Sequence, residues 1–236
     1  MRKIIRAESI EEAVKLRHEI ENSAYLAGGT EVMRLGSSVD EDAVLIDINS
    51  LPLSGIRKEN GKVIIGALTT LQEIKESELV PSFIREAAAF AASLQLRNAA
   101  TIAGNFALRR DDGFMTAALL ASECTVTIMC TKGKKEKSIS EYFEKKECRA
   151  VVMNFVIDEN RIGSIRRIAR ASHMHAAVIR AESCGCWAYT VSGSGIAYGH
   201  DKDVYKSIDF KDDLTGSASY KRYLASVLAE EGESGC

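Results

Sequence analysis

The stretches YLAGGTEV at residues 25–32 and NAATIAGNF at residues 98–106 decide the fold of this chain. Each stretch lies close to a predicted strand and combines glycine with alanine and threonine. Small residues at a turn permit unusual dihedral angles and let several backbone N–H groups point at one anion. One such stretch is most often an ordinary turn, but the pair predicts two loops that close over one phosphate-bearing ligand.

The polar groups of the two loops are the candidate donors. The first loop offers its backbone N–H groups and the Thr30 hydroxyl, and the second offers backbone N–H groups flanked by Thr101 and Asn105. Neither stretch has the lysine of a Walker loop or the GxGxxG spacing, which disfavours a nucleotide triphosphatase and an ordinary Rossmann site.

Periodicity predicts a small α/β unit around the first loop. Ser9 and Glu12 have capping-box spacing ahead of an apolar stripe, which predicts a helix over residues 9–21. Strands are predicted at residues 3–6, 25–27 and 44–48. Together they indicate the order strand, helix, strand, loop, helix, strand over about residues 1–55.

The remaining chain divides into a mixed unit and a sheet-rich unit, so the predicted class is α+β. The mixed unit has predicted strands at 62–67, 125–129 and 150–157, and predicted helices at 70–77, 83–93 and 116–121. The last unit has predicted antiparallel strands at 165–169, 176–181, 187–191 and 196–198, and a final amphipathic helix at 219–230.

Composition excludes two classes of partner. The net charge of −2 gives no general attraction to nucleic acid or anionic lipid. The basic run at residues 132–137 is short and interrupted by an acid, as at a solvated hairpin tip. No run approaches the roughly 18 apolar residues that span a bilayer. We therefore expect a cytoplasmic protein with no nucleic-acid or membrane partner.

The cysteines and histidines are predicted to be structural. The six cysteines lack paired CxxC spacing, so reduced thiols and no metal site are expected. Cys184 and Cys186 could supply two thiolates, but no second pair accompanies them. His173 and His175 are interpreted as sheet residues.

Four segments extend the two loops into a family pattern: AYLAGGTEVMRL, VIIGALTTLQEI, LRNAATIAGNFA and DDLTGSASYKRYLASVL. In this order and spacing they resemble the FAD-binding medium subunits of molybdenum hydroxylases, over about residues 1–230. The resemblance implies an α+β fold: a two-lobed, vanillyl-alcohol-oxidase or PCMH-type FAD domain and a C-terminal α+β domain with an antiparallel sheet and helices. The implied boundaries are 1–55 for lobe 1, 56–158 for lobe 2 and 159–236 for the carbon monoxide dehydrogenase-like C-terminal domain.

The resemblance also implies FAD as cofactor and assigns its binding positions, with no catalytic and no metal-binding residue. Thr69 belongs to the implied turn between the lobes, beside the cofactor. The implied positions are Ala27, Gly28, Gly29, Thr30, Glu31, Thr69, Thr101, Ile102, Ala103, Gly104 and Asn105.

The chain departs from the family pattern in two places. Ala103 stands where the family usually has glycine, which requires a backbone conformation open to a Cβ atom. An aspartate is expected further on, but ungapped counting puts Phe114 there, and Asp112 matches only if the loop is two residues shorter. Arg109 and Arg110 are interpreted as surface charges, with neutralisation of the diphosphate as the alternative. Arg166 and Arg167 fall near a family lysine or arginine that approaches the flavin.

The function implied by the resemblance is electron transfer within a xanthine dehydrogenase-like molybdenum hydroxylase, an oxidoreductase. The implied partners are a molybdopterin-binding large subunit and a 2Fe-2S small subunit, with NAD or another molecule as electron acceptor. Two alternatives stay open: a free-standing FAD-dependent oxidoreductase of the same fold, and a flavin-free assembly module.

Overall fold

Three β-sheets with their helices make up the part of the chain that the computed structural model describes, which is residues 2–34, 36–91, 93–145, 149–171 and 174–231. Cys148, Cys236 and His173 lie outside these residues. The sheets follow one another along the chain in the order of the three predicted units, whose boundaries remain predictions.

The first sheet is parallel, with strand order β1-β3-β2, and α1 connects β1 to β2. The predicted N-terminus of α1 is confirmed: Ser9 Oγ accepts from Glu12 N at 3.0 Å, and Glu12 Oε2 accepts from Glu8 N at 2.7 Å. The elements are β1 (Ile4–Arg6), α1 (Ile10–Glu19), β2 (Ser23–Leu26) and β3 (Val44–Asp47).

The predicted second helix of this unit is wrong for the described residues between 27 and 43, which form turns and bends. Gly29 and Gly36 have φ angles of 70° and 73° there, in the left-handed region that does not continue an α-helix. The first loop therefore passes to β3 through irregular backbone.

The second sheet is antiparallel, with strand order β4-β5-β8-β6-β7. Helix α6 (Phe114–Ala121) is buried from Met115 to Ala121 because it packs on α3 and α5 and also on the third sheet. The other elements are β4 (Ile56–Glu59), β5 (Lys62–Gly66), α2 (Leu71–Glu76), α3 (Ser82–Ala89), α4 (Leu94–Ala99), α5 (Ile102–Ala107), β6 (Thr125–Cys130), β7 (Gly133–Ser138), α7 (Ile139–Glu144) and β8 (Val151–Asp158).

The third sheet is antiparallel, with strand order β12-β11-β10-β9. Every residue of β10 (Val178–Ser183) and β11 (Cys186–Val191) is buried, because α6 packs on these strands and α8 and a short 3-10 helix also cover the sheet. The remaining elements are β9 (Gly163–Ile168), β12 (Gly195–Gly199), the 3-10 helix (Lys202–Ser207) and α8 (Ala218–Glu230).

The segment containing Cys184 and Cys186 is a tight turn between β10 and β11, with left-handed φ at Cys184 (48°) and Gly185 (77°). Cys184 is disulfide-bonded, so the expectation of reduced thiols is wrong for this residue. Cys124, Cys130 and Cys186 are free thiols. Across the described residues, no helix combines the length and the apolar character that crossing a membrane would require.

Candidate functional site

A cleft of about 410 Å³ lies where the first loop, helices α3 to α5 and strand β10 meet. This volume is within the range of about 300–1,000 Å³ that is typical of ligand sites. Thr30 and Glu31 line it from the first loop, and Ala100 and Asn105 line it from the region of the second. The structure therefore brings residues of the two quoted stretches to the lining of one cleft.

The first loop carries backbone N–H donors that have no partner in the described part of the chain. No described residue accepts a hydrogen bond from the backbone N–H of Gly28, Gly29, Thr30 or Glu31. The loop begins at a fixed position, because Asn49 Nδ2 donates to Ala27 O at 3.0 Å, and the left-handed Gly29 then turns the chain. Successive N–H groups in such a turn form a concave anion-binding surface.

The two loops are in direct contact at Gly28. A Cβ atom on this residue would lie 1.7 Å from Ala99 O and 2.6 Å from Ala99 C, far inside van der Waals contact. Glycine is therefore required at this position by the close approach of the second loop's backbone.

The second loop does not present the expected backbone donors, because residues 102–107 form helix α5. The N–H groups of Ile102, Ala103 and Asn105 donate to Thr69 O, Ala67 O and Thr101 O, at distances of 2.9 to 3.1 Å. Gly104 N donates to the Thr101 hydroxyl at 3.2 Å, which caps the helix. The expectation of free amide groups in this loop is wrong for these four residues.

What the second loop does present to the cleft is the Asn105 side chain. Its Oδ1 is buried and has no hydrogen-bond partner among the described residues. Most buried polar atoms in proteins are paired, so an unpaired amide oxygen in a cleft wall fits a ligand that donates a hydrogen bond. The ribose and ribityl hydroxyls of FAD are such donors.

Thr69 and Ala103 support the cleft without lining it. The buried Thr69 hydroxyl accepts from Gly55 N at 3.0 Å and donates to Gly55 O at 3.1 Å, so both of its hydrogen-bonding functions are used. Ala103 lies in α5 and has no positive φ, so a Cβ atom is tolerated at a position where the family usually has glycine.

A carboxylate lines the cleft at Asp112, two residues before Phe114, which is the position that ungapped counting gave for the expected aspartate. Arg110 donates to both Asp112 oxygens, from Nε at 2.7 Å and from Nη2 at 3.0 Å, and His175 Nδ1 lies 2.5 Å from Oδ2. Burial by itself would raise the pKa of Asp112, but the Arg110 hydrogen bonds and the charges of Arg110 and His175 hold it below the usual value.

The surface interpretation of Arg109 and Arg110 is wrong. Arg109 donates to the carbonyl oxygens of Tyr142 and Phe143 and lies over both rings, so it anchors α7. Arg110 lines the cleft in its pair with Asp112.

The Asp112 pair predicts an acid-dependent loss of stability. A carboxyl group whose pKa is depressed in the folded state stabilises the fold above its unfolded pKa of 3.8, and this contribution is lost as pH falls through the lower folded pKa. We expect the unfolding midpoint in urea to fall more steeply below about pH 4 for the parent than for Asp112→Asn. Parallel pH profiles for the two proteins would contradict this assignment.

Several cleft residues carry no sequence signal that points to this site. His175 was expected in the sheet, but it precedes β10 and faces the cleft. Arg167, one of the two arginines that the resemblance placed near the flavin, does line the cleft, with its guanidinium 5.1 Å from the centroid of the Phe90 ring, whereas Arg166 is exposed. The others that the sequence did not indicate are Arg34, Leu71, Phe90, Ala91, Leu96, Leu108, Gly113, Met174, Ala176 and Ile179.

Comparison with known proteins identifies the family of the chain. The family described as FAD binding domain in molybdopterin dehydrogenase matches residues 1–168. The uncharacterized protein YgfM of Escherichia coli K12 is 26% identical over 98% of this chain and 95% of its own. The nicotinate dehydrogenase FAD-subunit of Eubacterium barkeri is 31% identical over 58% of this chain and 48% of its own.

A solved structure of carbon monoxide dehydrogenase from Hydrogenophaga pseudoflava superimposes with a TM-score of 0.86 at 22% identity, covering 98% of this chain and 95% of that one. It confirms the α+β fold with helices and antiparallel sheets. The chain therefore belongs to the family of FAD-binding domains of molybdopterin dehydrogenases and is an FAD-binding oxidoreductase chain.

Proposed function

We propose that this chain is the electron-transfer subunit of a xanthine dehydrogenase-like molybdenum hydroxylase. Its partners in this proposal are a molybdopterin-binding large subunit and a 2Fe-2S small subunit. FAD, when bound, supplies the exchange between single electrons and electron pairs. The observation that carries the proposal is a cleft lined by Thr30 and Glu31 of the first loop, whose N–H groups have no partner among the described residues, and by Asn105, whose amide oxygen has none either.

The two loops would bind different parts of the cofactor. The N–H groups of residues 28–31 suit the diphosphate, because they are donors that no described protein group accepts from. Asn105 Oδ1 suits a sugar or ribityl hydroxyl. Ala27, Thr69 and residues 101–104 would act by holding these two groups in place.

The charges around the cleft fit a dianionic linkage. Arg34, Arg110 and Arg167 line the cleft, and the carboxylates of Glu31 and Asp112 are bound to Arg34 and Arg110. These two carboxylates are thus neutralised by their own arginines. An incoming phosphate group would meet paired acids rather than bare negative charge.

Purification of the tagged chain from its native host tests the whole proposal. We expect a yellow complex with one FAD per chain that also contains molybdenum and iron–sulfur absorption. Reduced NAD added to the complex should reduce the FAD if NAD is the acceptor. A chain that purifies alone and turns over a reduced substrate rapidly would identify the free-standing oxidoreductase instead. A colourless chain that does not bind added FAD would identify the assembly module.

The Asn105 contact is tested separately by FAD titration of the isolated chain. Asn105→Ala removes one hydrogen-bonding side chain from the cleft, which is worth about 1.4 kcal/mol or tenfold in Kd. Asn160→Ala, at an exposed turn, is the matched control and should bind FAD like the parent. Equal FAD affinity of Asn105→Ala and the control would remove Asn105 from the binding site.

A further inference from the structure

Three metal-ligating side chains meet outside the cleft, at one end of the third sheet. Glu123 follows α6, Cys186 begins β11, and His200 follows β12. His200 Nε2 lies 3.2 Å from Glu123 Oε1, and one ligand atom from each of the three residues lies within 4.8 Å of the others. We propose that Glu123, Cys186 and His200 form a binding site for Zn²⁺.

The ligand set matches the coordination chemistry of zinc. A thiolate, an imidazole and a carboxylate are its three usual protein ligands, and three of them leave a fourth tetrahedral position for water. Zinc bond lengths place ligand atoms roughly 3.5 Å apart, so the present set needs to contract by about 1 Å. The Glu123 and His200 side chains are 41% and 72% exposed and have room to rotate, whereas Cys186 is fixed in the sheet opposite Ser183.

Arg161 binds one oxygen of the Glu123 carboxylate and leaves the other oxygen available for a metal ion. Its Nη2 lies 2.7 Å from Glu123 Oε2, which leaves Oε1 on the side of His200. Such hydrogen bonds to a ligating carboxylate are typical of zinc sites. The positive charge of Arg161 repels a metal cation, but the negative charge of Glu123, with which Arg161 is paired, offsets this repulsion.

Cys186 is the thiol that metal binding would activate. Burial, and then the charge of Glu123, raise the pKa of its thiol, and a metal ion that binds there displaces the thiol proton. Cys184, two residues earlier, is disulfide-bonded and cannot serve as a thiolate. The ligands come from the end of α6 and from two strands of the third sheet, so the metal would tie these elements together.

Titration of the full chain with Co²⁺ as a spectroscopic probe, and with Zn²⁺, tests the site. We expect a thiolate-to-cobalt charge-transfer absorption that Zn²⁺ abolishes. We also expect Zn²⁺ at a hundredfold excess over Kd to raise Tm by roughly 5 °C. Cys186→Ser should lose the absorption and the Tm shift, whereas Cys130→Ser should keep both.

His200→Ala provides a variant whose folding is not in question, because the residue is exposed. It should weaken Co²⁺ binding at least about tenfold, as expected for the loss of one of three ligands. Absence of the charge-transfer absorption in the parent, its survival in Cys186→Ser, or unchanged Co²⁺ affinity in His200→Ala would each overturn the proposal.

Discussion

Gly28→Val is expected to abolish FAD retention. A Cβ atom at this position would lie 1.7 Å from Ala99 O, and valine adds two further carbon atoms to the overlap. The two loops must therefore separate, which moves the free N–H groups of the first loop away from Asn105. We expect Kd for FAD to rise by more than about a hundredfold, equivalent to about 2.8 kcal/mol, measured by FAD titration and by the flavin content of the purified protein.

The overlap at residue 28 involves backbone atoms of the second loop, so the predicted loss of FAD binding follows from separation of the loops. Gly133→Val is a suitable control, because Gly133 has a left-handed φ of 97° but no neighbouring atom within 4 Å of a Cβ atom. This control should cost about 1–2 kcal/mol of stability and retain its flavin. A Gly28→Val protein with full FAD occupancy would refute the placement of the site.

The sequence predicts the elements whose signals are local. Ser9 and Glu12 mark the start of α1 by their spacing alone, and the predicted strand at 44–48 is found as Val44–Asp47. The six-residue helix α2 was predicted within the longer segment 70–77. Helices α4, α5 and α7, of the same length, were missed because six residues alone are too few to show a helical period. For the same reason the second loop was interpreted as free backbone when it is the start of a helix.

Long-range contacts explain why the cleft was only partly predicted. His175 and Asp112 are 63 residues apart in sequence, and Arg109 and Phe143 are 34 apart. Neither pairing leaves a spacing pattern, because the first joins the segment between α5 and α6 to the segment before β10, and the second joins the same segment after α5 to α7. The turn at Gly29 was predictable because its left-handed φ of 70° is a local property that favours glycine. The constraint at Gly28 was not, because it comes from the distant residue Ala99.

Helix α8 buries a charged residue that its sequence pattern did not indicate. The apolar residues that make the predicted helix 219–230 amphipathic include Tyr220 and Tyr223, but the exposures of these two residues are 47% and 64%. The buried face instead contains Lys221, whose side chain is fully buried. The complete buried set is Lys221, Leu224, Ala225, Leu228 and Ala229. A lysine is almost never fully buried unless it is paired, so the sequence pattern favoured the tyrosines.

Lys221→Ala is expected to destabilise the fold by about 3–5 kcal/mol, the usual cost of breaking a buried ion pair. The Lys221 ammonium group donates to Ser192 O at 2.7 Å and Lys211 O at 2.9 Å, and it lies 2.7 Å from Asp213 Oδ1. Removing it takes the ammonium donor away from two carbonyl groups and the positive partner away from the Asp213 carboxylate. The loss is measured as the decrease in the urea midpoint of unfolding at neutral pH.

Lys206→Ala is the matched control for this loss, because Lys206 also pairs with an aspartate but is 64% exposed. Exposed pairs contribute roughly 0–1 kcal/mol, so the control should unfold close to the parent. The contrast between the two lysines isolates the effect of burial, since each variant removes the same side chain from an ion pair. If both variants unfold at the same urea concentration, the ammonium group of Lys221 does not hold α8 to the segments at Ser192 and Lys211.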